Sequence, residues 1–368
     1  MKKVGIFFSL NSYGGVQTCI ISLIKGLNQI GIIPDLLSDE AINQKIVAEH
    51  NLKVILQPIT FSVSKKNKDK LNNYLQGAID LIYFYKTSWL KKQYDFLYIF
   101  QPNIIINSKV KYMYYLSMSP RSPGFSGKQL LPKIKFFVYD YLLKFFIPTY
   151  EFKKRTPHCV INSNYTAKLY EENYQEKIDV VYPSNLVEIK SPVNYAIKDT
   201  ITFLSRISPY KRPEMLIKLS EEFRDKNFEI IGAPENENFL NQLQQLIDSK
   251  KLTNIKILTN LPYATLVEHL LKTKFYVFTA RDEHFGITTV EAMLYGAIPF
   301  VHNSGGQKEI VPYEELRFED DEFVEKFRLL INKPENELME IRQKLSKHVM
   351  KFSEQVYIKK MLSFLDKI

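Results

Sequence analysis

The hydrophobic pattern changes period twice within the first forty residues. "VGIFFSL" (4–10) is a short, β-prone apolar run, and "NSYGGVQ" (11–17) interrupts it. Ile20, Ile21, Ile24 and Leu27 then recur at helical spacing and stop at Gly31. A further apolar run, "IIPDLLS", covers 32–38. Strand, glycine turn, helix, strand is the opening of a doubly wound α/β domain. The same alternation restarts after residue 200. "ITFLS" (201–205), "FEIIGA" (228–233), "NIKIL" (254–258), "KFYVFTA" (274–280) and "IPFVH" (298–302) read as strands. "PEMLIKLSEEF" (213–223) carries a helical stripe behind Pro213, a residue suited to a first helical position. Two such openings about 200 residues apart predict two Rossmann-like domains, each with a parallel sheet, facing each other across a cleft.

The join is expected in "YPSNLVEIKSPVN" (182–194), where prolines and small polar residues break the periodicity. This places the domains at 1–185 and 186–349. The closing amphipathic stretch, 350–368, either completes the second domain or returns to the first. Residues 128–155 are apolar nearly all round between Pro132 and Pro148. That segment is too short to span a bilayer and fits either a buried core helix or a helix lying on a membrane surface.

At 368 residues the chain has room for two domains, and 45% hydrophobic with 24% charged residues is the balance of a folded, soluble protein. Residues 4–10 are too short for a secretory h-region and read as a strand. Two cysteines, Cys19 and Cys159, make no disulfide framework and point to a reducing compartment. The net charge of +10 admits two readings: an anionic partner, or solvated lysine-rich faces.

The candidate chemistry sits at the ends of the second-half strands. "RDEHFGITTVEAMLYGAIPF" (281–300) follows an apolar strand, so Glu283 lies at the carboxyl edge of the sheet, where open α/β sheets bind ligands. Thr288 followed three residues later by Glu291 reads as a capping box, with the helix running to Gly296. The amides of Phe285, Gly286 and Ile287 would then form a phosphate seat at a helix N-terminus. Carboxylates repel phosphate, so Glu283 and Glu291 suit hydroxyl groups. A phosphate seat flanked by two such carboxylates describes a nucleotide-sugar site, although Glu291 serves equally as a cap alone. "SRISPYKRPE" (205–214) puts Arg206 and Lys211 in another post-strand loop, where fixed cations can neutralise a diphosphate leaving group. No clear Asp-x-Asp metal motif accompanies them, and the acidic run 319–322 reads as a solvated helix start. In "NSGGQKEIV" (303–311) two glycines allow close approach of backbone to a ligand.

These motifs resemble the retaining, GT-B-fold glycosyltransferases of family 4. The likeness is carried by "GGVQ" (14–17), "SRISPYKRP" (205–213), "EHFGITTVEAMLYGAIPF" (283–300) and "SGGQKEIV" (304–311), with "CVINSNYTAKLYEENYQEKIDVVYP" (159–183) similar to the end of the family's first domain. Within the family the wording is most similar to mannosyltransferases that extend lipid-linked oligosaccharide with GDP-mannose. The resemblance implies Glu283 on the donor sugar's hydroxyls, Glu291 on the ribose, Arg206 and Lys211 on the diphosphate, and Gly15 near the phosphates across the cleft. The backbone of Phe285, Gly286 and Ile287 would complete the phosphate seat. It also implies no metal and no cofactor beyond the nucleotide-sugar donor, a glycan or polyprenyl-linked acceptor, and same-face attack assisted by the leaving phosphate. Many members carry a histidine where this chain has "YYLSMSPRSP" (114–123), so Ser117 or Ser119 stands in its place on the sugar or acceptor side. A cytoplasmic protein, peripheral on the inner face of the membrane, is the expected setting, and nucleic acid is not an expected partner. His284 is read as a loop-shaping residue and His302 as a strand end. Two other readings fit the same motifs: a GT-B enzyme acting on nucleic acid or protein, and a nucleotide-sugar-binding subunit without turnover.

Overall fold

The computed structural model describes residues 2–10, 14–38, 41–59, 93–100, 110–117, 159–187 and 198–366. The chain divides into two compact units, one built from Met1–Ser184 and Glu354–Ile368, the other from Asn185–Ser353. Segment 128–155 and the lysine-rich run 64–70 lie outside the described residues.

In the first unit, β1 (Val4–Phe7), β2 (Asp35–Ser38), β3 (Ile55–Pro58), β4 (Phe96–Ile99), β5 (Lys111–Leu116), β6 (Cys159–Ile161) and β7 (Asp179–Val180) form a parallel sheet in the order β3-β2-β1-β4-β5-β6-β7. The order reverses between β1 and β4, so the loop after β1 opens at a topological switch point. That loop leads through Gly14 into the helix Gly15–Gln29. The helix Glu354–Asp366 packs against it at Gly26, where a side-chain carbon would lie 2.5 Å from Ile358 Cγ2. Ser22 Oγ donates to Glu354 at 2.7 Å, and Tyr98 Oη donates to the Met361 carbonyl at 2.8 Å. Cys19 and Cys159 are buried free thiols, and burial raises the Cys19 pKa to about 12.

The second unit holds β8 (Thr200–Leu204), β9 (Asn227–Gly232), β10 (Ile255–Thr259), β11 (Thr273–Phe278), β12 (Ile298–His302) and β13 (Arg317–Phe318), all parallel, in the order β10-β9-β8-β11-β12-β13. β8 and β12 are buried at every position, as strands covered on both faces must be, which is why they read as mostly apolar runs. Phe203, Phe275, Phe300, Phe318, Phe323 and Phe327 fill the core without measurable exposure beyond 1%. The order reverses between β8 and β11. The loops leaving these two strands therefore meet at the switch point, and they carry Lys211 and Glu283. Among the described residues no helix is long and apolar enough to cross a membrane.

Candidate active site

The loop after β8 closes with a single 3-10 turn, Pro209–Lys211, and then Arg212 in the left-handed region at φ 56°. Thr279, fully buried directly after β11, holds this turn from beneath. Its hydroxyl lies 2.9 Å from the Lys211 carbonyl and 2.8 Å from that of Arg212. The Arg212 guanidinium bonds Asp320 through both arms, at 2.9 and 2.8 Å. Arg206, two residues beyond β8, is exposed.

The loop after β11 presents Glu283 directly to Lys211, and the two form an ion pair with side chains 17% and 20% exposed. The Lys211 ammonium also lies 5.5 Å from the centre of the Phe278 ring. Phe285 is buried against Phe352, and Gly286 follows at φ 111° as the residue before the helix Ile287–Leu294. Only glycine fits there: the positive φ disfavours any side chain, and a Cβ would fall 2.0 Å from Gln307 Nε2.

This start corrects the expected capping box. Gly286 is the N-cap, so Thr288 is already the second helical residue and caps nothing. Its hydroxyl instead lies 2.7 Å from the buried Tyr276 hydroxyl, which is also 3.0 Å from the Leu204 carbonyl. Glu291, the helix's fifth residue, is too far along to reach the orphan amides of the first turn. Among the described residues it meets no cation and no hydrogen-bond donor. Burial alone raises its pKa to about 7. Glu291 is half-buried, and a carboxylate partly desolvated without a partner is costly unless something else supplies one.

Two further expectations change in the structure. The close approach that Gly305 and Gly306 permit is to the chain's own backbone: a Cβ on Gly305 would lie 2.4 Å from the Glu283 carbonyl oxygen, and one on Gly306 2.4 Å from that of His284. The Gly306 amide donates to the Glu283 carbonyl at 2.7 Å, and the Asp282 amide donates to Ser304 Oγ at 2.7 Å. The "SGG" stretch thus seats the Glu283 loop. The acidic run 319–322 is not wholly solvated, because the part-buried Asp320 pairs with Arg212 and Arg281 and lies 3.3 Å from His302 Nε2. His302 is the last residue of β12, and burial lowers its pKa, as it does that of His284.

In the first unit, Gly15 is the first residue of its helix. Ser117 follows β5, and its carbonyl accepts from Asn162 Nδ2 at 2.6 Å. Ser119 lies outside the described residues. Asn162, Tyr276, Thr279 and Asp320 were not singled out by the sequence reading. Of these, only Asn162 carried a local signal, the "NSN" after an apolar strand, where Ser163 caps the next helix.

Residues 188–351, which contain Arg206, Lys211, Glu283, Glu291 and Asp320, match the family model described as glycosyl transferases group 1. They form a glycosyltransferase group 1 domain. Over 154 residues the chain is 35% identical to a Xenopus tropicalis protein named GDP-Man:Man(3)GlcNAc(2)-PP-Dol alpha-1,2-mannosyltransferase, covering 38% of this chain and 30% of that protein. The chain thus spans less than half of the length of such mannosyltransferase relatives. A Haemophilus influenzae protein named as an uncharacterized glycosyltransferase is 23% identical and matches 91% of this chain and 92% of its own length. Anabaena Alr3699/HepE, solved in complex with UDP and glucose, superposes over 100% of both chains with a TM-score of 0.71 at 17% identity. Sucrose-phosphate synthase from Thermosynechococcus elongatus gives a TM-score of 0.72 at 11% identity, over 100% of this chain and 99% of that one. These likenesses give the fold of the glycosyltransferase domain and its companion unit: it is GT-B, two parallel-sheet Rossmann-like domains.

Proposed function

We propose that the protein is a retaining, metal-independent glycosyltransferase that moves a hexose from a nucleotide-diphosphate sugar to a glycan or lipid-linked acceptor. GDP-mannose is the favoured donor, because the mannosyltransferase relatives carry that nucleotide in their names. The observation that carries the reading is the trio of Lys211, Glu283 and Glu291 at the switch point between β8 and β11: a paired cation and carboxylate, with a half-buried carboxylate lacking a partner. Ribose hydroxyls are the donors that Glu291 lacks. Lys211 and Arg206 would neutralise the diphosphate as charge develops on it, the role of preorganised cations in phosphate departure. Glu283, released from Lys211 by the incoming phosphate, would orient the sugar through its hydroxyls. The departing phosphate then takes the acceptor's proton as the acceptor attacks the same face.

The absence of the family's histidine, with Ser117 and Ser119 in that stretch, favours one rival, a nucleotide-sugar-binding subunit without turnover. One experiment addresses both readings. A thermal-shift panel of GDP-, UDP- and ADP-sugars, followed by turnover assays in excess EDTA, should show stabilisation by the matching donor and product formation without metal. Stabilisation without product supports the binding subunit, and no stabilisation by any nucleotide sugar overturns both. A cytoplasmic protein peripheral on an anionic membrane completes the proposal, supported by the net charge of +10. Failure to co-sediment with anionic liposomes at low salt would remove that part.

A further inference from the structure

Asp320 stands just outside the helix Phe323–Ile331 in a run of four acidic residues, yet it is the meeting point of three loops. It takes both arms of Arg212 from the loop after β8, the guanidinium of Arg281 from the loop after β11, and the imidazole edge of His302 at the end of β12. Arg212 directly follows Lys211, and Arg281 precedes Glu283 by two residues. Both loops are bent at non-glycine positions in the left-handed region, Arg212 at φ 56° and Asp282 at φ 52°. L residues avoid that conformation unless the surroundings hold them there. Among the described residues, Asp320 is the one acid that pairs with cations of both loops.

The two pairs are unequal. Arg281 is 57% exposed, and a screened surface pair contributes little. Arg212 and Asp320 are 20% and 29% exposed and meet in the bidentate geometry that fixes direction as well as distance. Arg212 is therefore the main route by which Asp320 acts.

We infer that Asp320 is a positioning residue of the donor site: by gripping Arg212 it holds the left-handed turn that aims Lys211 at Glu283. The inference rests on the donor-site reading above for its consequence in turnover, but the grip itself is measurable without a donor. Asp320→Asn keeps the side chain's size and removes its charge. It should speed hydrogen exchange of the Lys211 and Arg212 amides, which bond to the Ser208 and Pro209 carbonyls, by about tenfold or more. Exchange in the helix Ile287–Leu294 should stay unchanged. Turnover of GDP-mannose should fall about tenfold with little change in melting temperature, a scale set by the steep dependence of rate on alignment.

Arg212→Gly supplies the decisive background, because glycine adopts φ 56° without being held. There Asp320→Asn should cost less than about threefold, a coupling that a purely additive pair would not show. Equal losses in both backgrounds overturn the inference, as does unchanged exchange of the turn, or faster exchange with full turnover. If the parent binds neither GDP nor UDP, the donor-site reading falls, while the exchange data still decide whether Asp320 holds the turn.

Discussion

Lys211 and Glu283 pair directly although 72 residues separate them in the chain, each delivered by a different loop of the switch point. In the free protein the proposed diphosphate cation and the proposed sugar carboxylate thus occupy one another, and a donor must take both over.

Their removal should have opposite signatures. Lys211→Ala should cut turnover by roughly a hundredfold, the scale of losing one charge-stabilising group, and weaken nucleoside diphosphate binding. Glu283→Gln should lower kcat strongly while affinity for free GDP or UDP holds or rises, because Lys211 is no longer shared. Calorimetry on both variants checks this. A tenfold loss of nucleotide affinity in Glu283→Gln would contradict the assignment.

Glu291 predicts a pH-dependent stability. Its folded pKa of about 7 stands above the ordinary 4.5, so burial costs nothing below about pH 4.5, where the group is neutral in both states. The cost grows as pH rises and levels off above pH 7, at no more than about 3 kcal/mol, because a half-buried carboxylate keeps some contact with water. Glu291→Gln cannot ionise. Its stability relative to the parent should therefore improve by up to that amount between pH 4.5 and pH 8, whatever constant offset the amide brings. Denaturant melts at the two pH values test this, and parallel stability curves would show that the carboxylate is not desolvated.

Nucleotide binding should follow the same group. If ribose hydroxyls donate to ionised Glu291, binding draws off its proton. Affinity for GDP or UDP should then rise with pH up to about 7, by at most tenfold per unit, and level off above. The Glu291→Gln variant should bind weakly and without this slope. Titrations at pH 5.5, 6.5 and 8 in buffers of different ionisation enthalpy measure the proton count directly.

Gly305→Ala should damage the site without touching it. A methyl there would strike the Glu283 backbone from a positive φ, so something must shift. A stability loss of about 1–3 kcal/mol is expected, with turnover falling further than the melting temperature alone explains. Wild-type kinetics in this variant would show that the "SGG" loop yields without moving Glu283.

What the chain made legible was whatever local pattern encodes. Strands such as Thr273–Phe278 and Ile298–His302 are mostly apolar runs because a parallel sheet is covered on both faces, and that burial writes itself into consecutive residues. The residues around Glu283 were findable because a post-strand loop followed by a helix is a short-range arrangement. Contacts across the fold were not. Thr288 and Glu291 satisfy a capping spacing, but a glycine at φ 111° starts the helix two residues earlier and turns Thr288 toward Tyr276. Tyr276 sat inside an apolar run and read as core. Asp320 read as one acid among four because its partners arrive from loops 108 and 39 residues away.

The helix Glu354–Asp366 leans on the bare backbone of Gly26, joining residues more than three hundred positions apart. A ribosome releases the first of these long before it makes the second. The second unit, continuous from Asn185 to Ser353, can collapse as soon as it emerges, whereas the first must wait with an uncovered apolar helix face until the last turns are synthesised. The N-terminal half of this chain is thus the later to mature, and a nascent chain stalled near residue 350 would present that open face to chaperones.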